Sequence, residues 1–223
     1  MITKGQPKYL ERDGLRDSVV EIFYINPIYR VEHLVKTILN SGDMEDFHTI
    51  PEKGCVYLQN NIYRIQVLED RISFNNIKDY QGWQNYGPFI QKIVRKVLSL
   101  PEIMVERQMI RYISMYPEVS IFDKLNGKRM ELYSFPQLNG TEIRFKMGVT
   151  DNARHLGIAT VSLTDNLPSS KSDVKISVVD IQIETHTDNN LQNETLEFLH
   201  TQERNLFFSL LSKEFVNSLG AHY

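Results

Sequence analysis

Cysteine occurs once, at Cys55, so the chain can form no internal disulfide and no cysteine-based zinc cluster. The 11 glycines fall in neither the dinucleotide-binding spacing nor the P-loop spacing, which excludes nucleotide binding by those two routes. His33, His48, His155, His186, His200 and His222 show no His-x-x-x-His or His-Glu-x-x-His pattern, and no Gly-x-Ser-x-Gly elbow marks a nucleophilic serine. No run approaches the roughly 20 apolar residues that span a bilayer, and residues 1–10 lack the apolar centre of a signal peptide. A cytoplasmic protein with no membrane partner is therefore expected, and its Asn-x-Thr matches at Asn139 and Asn193 should carry no glycan. The formal net charge of -3 removes the broad cationic field of a nucleic-acid coat, leaving nucleic-acid binding to a local patch.

What remains is ordinary globular composition, with 24% charged and 41% hydrophobic residues among 223. Residues 19–25, rich in β-branched and aromatic side chains, predict a first strand ended by Asn26-Pro27. Val31, Leu34, Val35, Ile38 and Leu39 recur at helical steps and predict a helix over 29–40. Short strands are expected at 56–58, 63–67 and 72–74. A second helix is expected from Phe89 to Leu98, with Gly87-Pro88 at its entry. Tyr80, Trp83, Tyr86 and Phe89 approach helical spacing and suit core packing better than a binding stripe.

Extended segments follow at 105–115, 130–135, 142–149, 156–163 and 174–184, with a turn-rich loop at 168–173. The chain closes with a helix capped at Asn193 or Thr195 and a continuation capped by Ser212 and ended by Gly220. Helices do not alternate with every strand, so the expected class is α+β, a mainly antiparallel sheet packed by amphipathic helices. One domain over 1–223 is expected, with lobes 1–100 and 101–223 as the alternative division. No sequence repeat is strong enough to imply duplication.

Residues 105–115 carry the most unusual chemistry. On a strand, Val105, Arg107, Met109, Arg111, Ile113 and Met115 share one face, which places two arginines on the more apolar side. Glu21 shares a face with Val19, Phe23 and Ile25; a carboxylate there needs a partner, and Arg107 or Arg111 is the expected one. The apolar alternation of 174–184 changes phase at Val178-Val179. A bulge there would leave Asp180, Gln182 and Glu184 on the wet face, whereas a regular strand would carry Asp180 to the core face. This cluster reads as a structural ion-pair network, as an anion-binding pocket centred on Arg107 and Arg111, or, with Asp180 and Glu184 as oxygen ligands, as a magnesium site for phosphodiester hydrolysis. Leu206, Phe207, Phe208, Leu210 and Leu211 exceed one narrow apolar stripe; if Phe208 lies outside the core, that helix is a docking face for a protein partner or a second copy.

Arg107-x-x-x-Arg111-Tyr112-Ile113, together with Val19-Val20-Glu21, Val179-Asp180-Ile181 and the terminal helix over 195–219, resembles a sporadically distributed prokaryotic family of uncharacterised proteins. The resemblance implies a stand-alone cytoplasmic protein of patchy distribution, in the manner of mobile or host-conflict genes, and no established enzyme activity. The expected function is a non-enzymatic interaction subunit or regulator in a defence or toxin-neutralising complex. It uses no cofactor and no metal, and Arg107, Arg111, Glu21 and Phe208 are its candidate binding residues. The alternatives are a metal-dependent phosphodiesterase or nuclease using Asp180 and Glu184, and an anionic-ligand sensor.

Overall fold

The computed structural model describes residues 6–12, 14–26, 28–42, 44–78, 80, 82–101, 103–127, 142–151, 155–168, 174–186 and 192–223. In chain order these form β1 (Tyr9–Leu10), β2 (Leu15–Ile25), α1 (Val31–Leu39), β3 (His48–Glu52), β4 (Cys55–Gln59), β5 (Tyr63–Val67), β6 (Arg71–Asn76) and α2 (Trp83–Leu98). Then come β7 (Met104–Pro117), a 3-10 turn (Phe122–Lys124), β8 (Glu142–Thr150), β9 (Leu156–Pro168), β10 (Lys175–His186), α3 (Gln192–Leu210), α4 (Lys213–Ser218) and β11 (Ala221–His222). The class is α+β. The strand expected at 130–135 lies outside the described residues, as does most of the loop expected at 168–173.

Among the described residues nine strands form one sheet in the order β3-β4-β5-β6-β2-β7-β10-β9-β8, and β1 pairs with β11 in a two-stranded ribbon. The pairs β3–β4, β4–β5, β5–β6, β6–β2 and β8–β9 are antiparallel. One topological rule appears twice: β2 and then β7 take an inner place, and the strands following each fill in from the rim. That repetition escaped the sequence because it lives in strand order and leaves no matching residues.

By contact the chain divides into two compact units. One comprises Asp17–Ile110 with Glu184–Leu199; the other comprises Met1–Arg16, Arg111–Ile183 and His200–Tyr223. In the first, α1 packs on β4 and β5, and Tyr86 of α2 donates its buried hydroxyl to the Phe74 carbonyl at 2.7 Å. Ile22, Leu58, Ile65, Phe74, Ile90 and Ile93 fill this core. In the second, Tyr112 of β7 meets His200 of α3, and Tyr116 packs edge-on against Phe215 of α4. Among the described residues no helix is long and apolar enough to cross a membrane.

The second helix begins at Trp83, a turn and a half before the expected start, so Pro88 is internal to it. Proline there removes one helical hydrogen bond. Aromatic packing offsets the loss: the Tyr86 ring stacks on Tyr63 and meets Trp83 and Tyr80 edge-on, while the Trp83 indole donates to Glu197 at 2.9 Å. β3 escaped the strand pattern because it is an exposed edge strand carrying Pro51. Pro51 faces Val56, one position from the closing pair Glu52–Cys55 of a two-residue turn, so its missing N–H falls on the outer side of the ladder.

Candidate functional site

Burial along β7 reverses the expected arrangement from Ile110 onward. Ile110, Tyr112, Ser114 and Tyr116 are buried there, whereas Arg111, Ile113 and Met115 are only half-buried; before it Val105 and Met109 of the arginine face are buried as expected, with Arg107 half-buried between them, Glu106 exposed and Gln108 buried. The apolar residues between the arginines suggested a core face, but the two tyrosines and Ile110 bury more surface and take the side facing the helices. A guanidinium keeps part of its hydration when it stays on the other side.

On β10, Ser177, Val179, Ile181, Ile183 and Thr185 alternate as buried residues without interruption. Asp180, Gln182 and Glu184 therefore sit on the less buried side of a regular strand, and the expectation that a regular strand would bring Asp180 to the core is corrected. The apparent change of phase came from Ser177, a polar residue on the core side. Its hydroxyl, with one proton to donate, lies within hydrogen-bond reach of both the buried Asp165 carboxylate and the Val119 carbonyl. Asp165 also accepts from Ser120 Oγ at 2.7 Å and from the Ile121 amide at 3.0 Å, so the buried polar groups satisfy one another.

In the unit built on β2–β6, Arg107 lies 3.8 Å above the Phe23 ring centroid and donates through an NH1 nitrogen to Glu184 Oε2 at 2.6 Å. Arg71, directly across from Phe23 in the β2–β6 register, lies 5.5 Å from the same ring. Arg71 Nε is 3.5 Å from Glu21 Oε1, and its NH1 nitrogen is 3.5 Å from Asp70 Oδ2. Glu21 thus takes Arg71 as its cation, which corrects the pairing expected with Arg107 or Arg111. The β2–β6 register sets Glu21 opposite Ser73 and Phe23 opposite Arg71, which puts Arg71 diagonally across from Glu21. Phe23 and Arg71 are the residues of this cluster that sequence reasoning missed. Phe23 was visible as a face-mate of Glu21, whereas Arg71 fell one residue before the expected strand.

In the other unit, Arg111 grips Asp180 with two parallel hydrogen bonds, Nε to Oδ1 at 2.9 Å and an NH2 nitrogen to Oδ2 at 2.7 Å. This fork matches the planar guanidinium to both carboxylate oxygens. A divalent cation needs those same oxygens. Among the described residues no group of three or more His, Cys, Asp or Glu side chains is placed to hold a metal.

Phe208 is half-buried rather than projecting. Phe207 meets it edge-on at 5.3 Å, and the Arg204 guanidinium lies 5.2 Å over its ring. The same helix carries two titratable groups that the sequence did not single out. Burial pushes the Glu203 carboxyl up to about 8, with neighbouring Arg204 acting in the opposite direction. Burial, reinforced by Arg204, pushes the His200 imidazole down to about 3. Glu203 is therefore a neutral acid and His200 a neutral imidazole at pH 7, with the Tyr112 hydroxyl 3.3 Å from His200 Nδ1.

No protein-family model matches the chain, and no curated protein sequence matches it.

Proposed function

We propose that this protein works by binding rather than by turnover, as a cytoplasmic interaction subunit or regulator. The observation carrying this reading is that the two carboxylates a hydrolytic metal would need are each spent on an arginine, Asp180 on Arg111 through both oxygens and Glu184 on Arg107. Displacing Arg111 to admit magnesium would break a charge-assisted fork and leave a guanidinium beside the incoming cation. The same pairing counts against a small-anion sensor, since the donors that would receive the anion already hold carboxylates. The resemblance of residues 105–115 to a patchily distributed prokaryotic family supports a defence or toxin-neutralising complex as the setting.

The test is hydrolysis of an activated phosphodiester with magnesium, by wild type and by Asp180→Ala. The reading expects no turnover above buffer for either. Magnesium-dependent turnover that vanishes in a folded Asp180→Ala variant would overturn it in favour of the nuclease alternative.

A further inference from the structure

We infer that Asn126 is a self-modification site: the amide nitrogen of Gly127 attacks its side chain, and the product loosens the junction at the end of α3. This chemistry is independent of the binding reading above. The Asn-Gly dipeptide occurs at 126–127 and at 139–140, the latter outside the described residues. At Asn126 the backbone N–H donates to the Leu210 carbonyl at 2.7 Å, and the side-chain Nδ2 donates to the Ser209 carbonyl at 3.5 Å. Both carbonyls lie in the last turn of α3, where oxygens have no partner within the helix. The neighbouring backbone closes the junction: Leu125 bridges Leu211, and the Ser212 amide donates to the Lys124 carbonyl at 2.7 Å.

The contact that holds the Asn126 amide is long for a hydrogen bond, so the side chain turns away at little cost. Beside it Gly127 is exposed, and a Cβ added there would meet nothing within 4 Å. Among the described residues its N–H donates to no acceptor. A glycine in open space has the backbone freedom to bring its nitrogen onto Asn126 Cγ, and attack within one chain needs a rotation in place of a bimolecular encounter. The Gly127 nitrogen bonds to Cγ and the Cγ–Nδ2 bond breaks. The proton of the attacking nitrogen ends on Nδ2, which leaves as ammonia. Solvent water then opens the cyclic imide at either carbonyl, giving aspartate or, with the backbone rerouted through the side-chain carboxyl, isoaspartate. Nothing is oxidised or reduced. Either product puts a carboxylate where a donor stood, against the Ser209 carbonyl and the negative end of the α3 dipole. Isoaspartate also lengthens the backbone by one carbon next to the Leu125–Leu211 bridge.

The test ages the purified full chain in mildly alkaline buffer and maps its peptides by mass spectrometry, with isoaspartate marked by an isoaspartyl methyltransferase. Asn126 is expected to convert at least tenfold faster than Asn205 and Asn217, which precede Leu206 and Ser218. Gly127→Ala should slow conversion at 126 at least tenfold, with the circular dichroism spectrum unchanged. In aged wild type and in fresh Asn126→Asp, the backbone amides at 126 and 212 should exchange hydrogen at least tenfold faster than in fresh wild type, whereas aged Gly127→Ala should match its fresh form. Conversion at 139 with 126 intact, or equal conversion at 126 in Gly127→Ala and wild type, would overturn the site. Conversion at 126 with unchanged exchange at 126 and 212 would overturn the loosening of the junction.

Discussion

Arg111 is 41% exposed and its partner Asp180 21%, which decides how much their fork stabilises the fold. A fully buried pair broken from one side would cost about 3–5 kcal/mol. A pair this wet belongs nearer the surface class, so Arg111→Ala should destabilise by about 1 kcal/mol in urea unfolding; a loss above about 3 kcal/mol would show that the pair is buried in solution. Gln108 poses the opposite case. It is 1% exposed, and neither amide atom has a hydrogen-bond partner among the described residues. Removing an unsatisfied buried amide recovers its desolvation cost, so Gln108→Leu should raise stability by about 1–3 kcal/mol. A destabilised variant would mean that the amide is satisfied by a group other than the described residues. Neither outcome was legible in the sequence, where Gln108 looked like a wet-face residue and Arg111 like a core one; from Ile110 onward, side-chain size rather than the apolar count of each face chose the orientation of β7.

At the scale of elements, α3 sets a pH profile. Glu203 keeps its proton in the folded chain up to about 8, against an ordinary 4.5. Between those values the unfolded chain has lost that proton, so stability falls as pH rises. His200 resists protonation down to about 3, against an ordinary 6.5. Below 6.5 the unfolded chain gains a proton that the folded chain refuses, so stability falls as pH drops. From 4.5 to 6.5 the two slopes, each roughly 1.4 kcal/mol per pH unit, oppose one another. Glu203→Gln should therefore gain stability relative to wild type steadily from pH 4.5 to 8, as followed by thermal unfolding, and a difference independent of pH would refute the buried acid. A second element carries a structural prediction: Pro51 blunts the exposed edge β3, and Pro51→Thr should leave the fold intact while adding concentration-dependent association in light scattering. Long periodic elements such as β7, β8 and α1 were legible because their own residues bury one face. The start of α2, the edge strand β3 and the phase of β10 were not, because Trp83, Val56 and Asp165 act on them across the fold.

At the scale of the whole molecule, Ile22 and Phe74 are buried in one unit and Tyr112 and Tyr116 in the other, and each unit carries an arginine–carboxylate pair, Arg107 with Glu184 in the first and Arg111 with Asp180 in the second. The α+β class was readable from the spacing of helices and strands. The ion pairs were readable only as a set of charges, because which carboxylate meets which arginine depends on strand order: Glu21 found Arg71 through the β2–β6 register, while Asp180 and Glu184 found Arg111 and Arg107. The central claim is that this arrangement serves association. Native mass spectrometry of the protein captured from its own host at low salt tests that most directly. The account predicts a complex of fixed stoichiometry with a second protein, dissociating as salt is raised; a bare monomer at every salt concentration would contradict it.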